Sequence, residues 1–182
     1  LLDALGIERI YYCGLSKGGM VGQRLATRNP ERLHAAVLCA TSSYMGPANL
    51  WQQRIDAARA GGMQSISDGT LERWFTPGYH DTHLSEISKI REMIHATPVD
   101  GFAGCCIAIK DMDQRETIKT IDLPVLVIAG AEDPGTTPAM NKLIADSIPG
   151  AEYIELPASA HFCNVQAADG FNATLADFLL KH

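Results

Sequence analysis

Residues 11–20 read Tyr-Tyr-Cys-Gly-Leu-Ser-Lys-Gly-Gly-Met, and Gly14, Ser16 and Gly18 fill the fixed places of the pattern G-x-S-x-G. An apolar, β-prone segment precedes the pattern, and a segment with helical periodicity follows it. This setting predicts a sharp strand-to-helix turn that lifts the serine hydroxyl clear of a sheet, with room only for glycine at 14 and 18. The stretch therefore predicts that Ser16 is a nucleophile, and an ordinary helix-capping serine is the alternative.

The composition is that of a globular domain with a substantial core. The chain has 182 residues, of which 46% are hydrophobic and 20% charged. Its net charge of −6 argues against a nucleic-acid-binding surface. No apolar run reaches the length of a membrane span, and no secretory signal is visible. We therefore expect neither a nucleic-acid partner nor a membrane partner.

The cysteines and histidines do not form a metal-binding pattern. The five cysteines are an odd number without zinc-type spacing. Cys13 and Cys39 lie in apolar runs and are interpreted as small buried hydrophobic residues of a cytoplasmic protein. His80 and His83 have a ligand-like spacing, but they are expected in a loop without a third ligand. We predict no metal and no organic cofactor.

Short apolar strands alternate with helical patterns, which predicts an α/β fold with a parallel sheet flanked by helices. Strands are predicted at 8–13, 33–40, 123–130 and 153–156, and the last helix at 164–180. Between 47 and 118 only helical patterns are convincing, which predicts an all-helical cap inserted between sheet strands. The predicted domains are therefore a core at 1–46 and 119–182 and a helical cap at 47–118.

Two further polar residues follow predicted strands and complete a candidate triad with Ser16. Asp133 comes after the strand at 123–130, and His161 comes after the strand at 153–156, where active sites of parallel sheets lie. A helix-capping aspartate and a histidine in a polar loop are the alternatives. The chain order Ser, Asp, His is that of the α/β-hydrolases, and it favours the triad. The amide of Lys17, at a helix N-terminus, is predicted to stabilise an oxyanion.

Motifs along essentially the whole chain resemble those of one family, the 3-oxoadipate enol-lactonases of the α/β-hydrolase fold. They are GLSKGGMVGQ at 14–23, LERWFTP at 71–77, AGAEDP at 129–134 and AHFCNV at 160–165. The first and third motifs are shared with esterases and other hydrolases of the fold. The motif at 71–77, in the predicted cap, is more specific and points to the lactonases.

The resemblance implies hydrolysis of a small, carboxylate-bearing enol-lactone in aromatic catabolism. It implies that Ser16 attacks the lactone carbonyl, that His161 passes the proton to the leaving enolate, and that Asp133 holds the imidazolium. It also implies that the family's N-terminal strands, with their oxyanion-hole loop, are absent from this chain. The alternatives are a broad carboxylesterase of short acyl esters and a non-catalytic, self-associating fragment.

A substrate with an acetate arm requires a cation to bind its carboxylate. Arg54 and Arg73, the latter beside Trp74, are the candidates, since a guanidinium can donate two hydrogen bonds to a carboxylate. The alternative is that both arginines are solvated helix residues.

The first predicted strand is expected to be exposed along one edge. Residues 8–13 contain no proline and carry charges only at their start, so the strand would offer unpaired backbone groups to another chain. We therefore expect a homo-oligomer in which two copies associate through this edge about a two-fold axis.

Overall fold

Four parallel strands form one sheet, in the order β1-β2-β3-β4. The strands are β1 (Ile10–Leu15), β2 (Leu33–Cys39), β3 (Val125–Gly130) and β4 (Glu152–Leu156). The predicted α/β fold with a parallel sheet is confirmed in this computed structural model, which describes residues 1–182. β1 lies two residues later than predicted. At its start the Arg9 guanidinium donates to the Leu33 carbonyl at 2.5 and 3.2 Å, and the ladder begins only at Ile10.

Helices of the unit that contains the sheet pack on both of its faces, and five further helices lie in a separate part of the chain. The helices are α1 (Lys17–Arg28), α2 (Ala48–Gly61), α3 (Gln64–Trp74), α4 (Pro77–Thr82), α5 (Leu84–His95), α6 (Val99–Lys110), α7 (Pro138–Ser147), α8 (Cys163–Gln166) and α9 (Ala168–Leu179). Because side chains alternate along a strand, β2 contributes to two buried clusters. Leu38 packs with Ala26 of α1 and Ile144 of α7, whereas Val37 packs with Phe178 of α9. No helix is long and apolar enough to cross a membrane.

The chain divides into two units, Leu1–Ser43 with Gln114–His182, and Tyr44–Asp113. The first unit contains the sheet, and the second, which we call the helical unit, contains α2–α6. The predicted cap boundaries, at 47 and 118, lie a few residues later in the chain than the first and last residues of the helical unit.

Two predictions about helices and loops are wrong in detail. The predicted helix at 164–180 is interrupted at Ala167, whose φ of −120° and ψ of 45° are not helical. The interruption leaves α8 as a separate turn, and the Gln166 side chain accepts a hydrogen bond from the Ala160 amide at 3.1 Å. His80 lies in α4 rather than in a loop. His83 directly follows α4, and its ring stacks on that of Tyr79 with 3.9 Å between the ring centres.

The prediction that the cysteines of the first two strands are buried holds for only one of them. Cys39, on the central strand β2, is fully buried, but Cys13 is exposed. The difference follows from strand order, because β1 is at the edge of the sheet.

Candidate active site

The turn after β1 holds Ser16 in a strained backbone conformation. Its φ of 54° and ψ of −116° are unusual for a residue with a side chain, and such strain costs about 1–3 kcal/mol. The surroundings hold it there: the Ser16 amide donates to the Cys39 carbonyl at 2.8 Å, and the Ser16 carbonyl accepts from the Thr41 hydroxyl at 2.7 Å. The side chain makes no capping hydrogen bond to α1, which argues against the alternative of an ordinary capping serine.

Only one of the two glycines flanking Ser16 is sterically required. A Cβ at Gly14 would lie 2.4 Å from the Gly18 carbonyl carbon, because β1 and α1 approach closely there. A Cβ at Gly18 would lie 3.9 Å from its nearest neighbour, the Tyr12 hydroxyl oxygen, which is an ordinary contact. The prediction that both positions exclude a side chain is therefore correct for Gly14 and wrong for Gly18. The pattern identifies the turn but does not say which residue faces the strand.

Asp133 and His161 meet at the carboxyl ends of β3 and β4. His161 Nδ1 lies 2.8 Å from Asp133 Oδ2, and both side chains are buried. The loops that carry them pack directly on each other, since a Cβ at Gly130 would lie 2.1 Å from the Ala160 carbonyl oxygen. The structure thus brings two of the three predicted triad residues into contact and places Ser16 on the turn after β1, at the same end of the sheet.

Asp133 is held by four hydrogen-bond donors. Its Oδ1 accepts from the amides of Gly135 and Thr136 at 2.8 and 3.0 Å, and its Oδ2 accepts from the Thr136 hydroxyl at 2.7 Å and from His161. Burial by itself raises the pKa of the Asp133 carboxyl, but the hydrogen bond and charge of His161, with the bonds from Thr136 and Gly135, bring that pKa below its usual value. The carboxylate therefore stays ionised and fixed in orientation, as the partner of a catalytic imidazole must.

Thr136 and Asn141 also belong to this arrangement, although the motifs of the sequence do not identify them. Thr136 supplies two of the donors to Asp133, and Asn141 Nδ2 donates to the Thr136 carbonyl at 2.9 Å. The spacing Asp-x-x-Thr was the available signal for Thr136, because a threonine three residues after an aspartate can donate to it. No local signal marks Asn141, whose side chain also bonds to Thr41 and Thr137.

The thiol of Cys163, two residues after His161, does not compete as a nucleophile. Cys163 is fully buried, and burial, followed by the negative charge of Asp133, raises its pKa to about 12. Since the thiolate is the reactive form of cysteine, this residue stays a neutral thiol.

Lys17 is the first residue of α1, and its backbone amide lies where a helix N-terminus favours negative charge.

In the helical unit, Arg54 of α2 has no anionic partner. Its guanidinium lies 5.4 Å from the centre of the Trp51 ring and 5.9 Å from that of Phe102. Its Nε is buried without a hydrogen-bond partner. Burial, followed by the positive charge of Arg73, lowers the pKa of the Arg54 guanidinium. Arg73 and Trp74 lie at the end of α3, with Arg73 exposed and Trp74 partly buried.

The chain is similar to known proteins along nearly its whole length. A family model described as alpha/beta hydrolase fold matches residues 1–86. The 3-oxoadipate enol-lactonase 2 of Acinetobacter baylyi is 37% identical over 172 residues, or 94% of this chain and 64% of that protein. The chain thus spans less than two thirds of that relative's length.

Similarity extends to a solved structure and to an esterase. The enol-lactonase from Burkholderia xenovorans LB400 superposes with a TM-score of 0.96 at 38% identity, over 98% of this chain and 68% of that one. The pimeloyl-[acyl-carrier protein] methyl ester esterase of Neisseria meningitidis is 25% identical over 185 residues, or 91% of this chain and 68% of that protein.

Proposed function

The chain belongs to the α/β-hydrolase family, and on that premise we propose that it is a serine hydrolase that cleaves a small carboxylic ester or lactone. The observation that carries the proposal is the buried Asp133–His161 pair, 2.8 Å apart, at the sheet end where β1 turns sharply at Ser16. The named relatives include two enol-lactonases, which favour a lactone such as 3-oxoadipate enol-lactone over other esters.

The proposed reaction proceeds in two steps through an acyl-enzyme. The Ser16 hydroxyl oxygen attacks the carbonyl carbon while His161 Nε2 takes its proton, and Asp133 stabilises the imidazolium. The Lys17 amide donates to the oxyanion of the tetrahedral intermediate. When the intermediate collapses, the ring C–O bond breaks and the leaving enolate takes the proton from His161.

Water completes the cycle. His161 removes a proton from a water molecule that attacks the acyl carbon, and the second intermediate collapses with return of the proton to Ser16. The product is a carboxylic acid, and its enol end relaxes to a ketone. Proton transfer, charge stabilisation and covalent bonding are all supplied by these side chains and one backbone amide.

The helical unit is proposed to bind the carboxylate arm of the substrate. Arg54 supports this role because a half-buried guanidinium with an unsatisfied Nε gains most from an anion in contact with it. Arg73 lies close enough for its charge to affect Arg54, so that two cations share one region of the unit. An anionic ligand there would offset both the loss of hydration and the like-charge repulsion. Trp74, next to Arg73 in α3, is proposed to contact the same substrate.

The exposed edge of β1 is proposed to pair with a second copy of the chain. Only one side of β1 is bonded, to β2, and the Tyr11 side chain is 46% exposed. Natural proteins cover or interrupt such an edge because its free N–H and C=O groups recruit other strands.

Activity of the purified chain tests the proposed function. Hydrolysis of p-nitrophenyl acetate by the chain, but not by Ser16→Ala, is the expected result. A higher kcat/KM for 3-oxoadipate enol-lactone than for p-nitrophenyl esters would favour the lactonase, and the reverse order would favour the broad carboxylesterase. Equal turnover by both proteins, or none by either, would refute the proposal, and the second result would favour the non-catalytic fragment.

A further inference from the structure

A further chain of hydrogen bonds, besides the contact between Asp133 and His161, starts at the turn that carries Ser16. The Thr41 hydroxyl donates to the Ser16 carbonyl at 2.7 Å. The Thr41 backbone amide in turn donates to Oδ1 of Asn141 at 2.9 Å, across 100 positions of sequence. Thr41 and Asn141 are both fully buried, so that water cannot replace these bonds.

The same chain continues from Asn141 to the acid–base pair. Asn141 Nδ2 donates to the carbonyls of Thr136 and Thr137 at 2.9 and 3.1 Å. Thr136, in turn, donates its amide and its hydroxyl to the carboxylate of Asp133. The Asn141 amide group thus connects the loop after β2, whose Thr41 bonds to the Ser16 carbonyl, with the loop after β3, which carries Asp133.

We propose that Asn141 is a positioning residue that fixes the Ser16 turn relative to the Asp133–His161 pair. This inference deepens the proposed function and rests on it. An asparagine suits the place because its side chain offers an acceptor on one side and two donors on the other. Leucine keeps similar bulk but makes none of the three bonds.

The strain at Ser16 is the reason such a tie is needed. A positive φ at a residue with a side chain persists only when neighbouring contacts over-determine it. Thr41 supplies one of those contacts, and Asn141 holds Thr41 in place. Without Asn141 the turn and the acid loop can shift separately, and the serine oxygen leaves the position from which it attacks.

Two substitutions and their combination, with two controls, test the proposal through kinetics with p-nitrophenyl acetate. Asn141→Leu and Thr41→Val are each expected to lower kcat about 10- to 100-fold with little change in KM, since they misplace reacting groups without removing substrate contacts. Thr41→Ser retains the hydroxyl and is expected to restore kcat. Combining Asn141→Leu with Thr41→Val should reduce kcat by less than the product of the two single losses, because both interrupt the same hydrogen-bonded connection from Asn141 through Thr41 to the Ser16 carbonyl.

Gln23→Met is the matched control for loss of a buried amide. Gln23 is fully buried on α1, and its Nε2 donates to the Ser42 carbonyl at 3.2 Å, one residue from Thr41. Its substitution should lower the midpoint of thermal unfolding and leave kcat unchanged. A loss of kcat in Gln23→Met as large as in Asn141→Leu would show a general stability effect and overturn the proposal.

Proton NMR supplies a readout that does not depend on turnover. The Nδ1 proton of His161, bonded to Asp133, should give a low-field resonance that disappears in Asp133→Asn. In Asn141→Leu this resonance is expected to move or broaden, whereas in Gln23→Met it should stay. An inactive unsubstituted chain would refute the proposed function alone, and this resonance would still decide the role of Asn141. An unchanged resonance and an unchanged kcat in Asn141→Leu would each overturn that role.

Discussion

Adding one methyl group at Gly14 is expected to destabilise the chain severely. The new Cβ would lie 2.4 and 2.5 Å from the carbonyl carbon and oxygen of Gly18, and 2.8 Å from the Tyr12 ring. Carbon atoms pack best at about 3.5–4.0 Å, so α1 would have to move away from β1 by about 1 Å. Because the nearest atoms are backbone atoms, no side-chain rotation relieves the overlap.

The expected loss for Gly14→Ala is at the upper end of the overpacking range, about 3 kcal/mol of unfolding free energy. For a chain of this size that loss corresponds to about 6–12 °C in the midpoint of thermal unfolding. The matched control is Gly18→Ala, where the nearest atom to the new Cβ is 3.9 Å away. There the helix propensity of alanine predicts no loss, or a gain of up to about 1 kcal/mol.

Thermal unfolding of the two variants, followed by circular dichroism, provides the measurement. Gly14→Ala should unfold well below the unsubstituted chain, and Gly18→Ala at or slightly above it. Equal midpoints for the two variants would refute the steric argument, and so would a Gly14→Ala variant as stable as the unsubstituted chain.

Four further predictions concern chemistry, specificity, pH and association. Ser16→Ala and His161→Ala should each remove nearly all esterase activity, and the double variant should be little worse than either. Asp133→Asn should lose less activity than the other two variants. If the losses of the two single variants simply multiply in the double variant, the residues do not share one mechanism. Arg54→Leu and Arg73→Leu should lower kcat/KM for the carboxylate-bearing lactone about tenfold or more and leave p-nitrophenyl acetate hydrolysis nearly unchanged, whereas equal effects on both substrates would exclude a carboxylate role. The pKa of Asp133 is lower in the folded chain than in the unfolded chain, so the carboxylate stabilises the fold above about pH 4, and this stabilisation is lost as the pH falls through the folded pKa. The free energy of unfolding, measured with urea, should therefore fall less on acidification in Asp133→Asn than in the unsubstituted chain. Identical pH dependences in the two proteins would contradict the lowered pKa. Light scattering at micromolar concentration should show a dimer, and a stable monomer would end the proposal of pairing through β1.

Local sequence alone determined the type of fold and the position of the candidate site. The runs at β2 and β3 are apolar throughout, and parallel strands covered on both faces require such runs. The turn pattern identified Ser16, and the place of Asp133 and His161 after strands brought them to the same end of the sheet. The fold prediction was confirmed because periodicity and turn chemistry act over a few neighbouring residues, and the catalytic roles of the three residues stay predictions.

Tertiary packing decided what those signals could not. The interruption at Ala167 and the room at Gly18 depend on which surfaces approach each other, and residue type does not specify that. The bond between Thr41 and Asn141 joins residues 100 positions apart, and only the packing of α7 beside the end of β2 creates it. The sequence by itself therefore determined which residues could perform the chemistry. The tertiary structure decided which other residues hold them, because buried polar groups must find their partners wherever the folded chain places them.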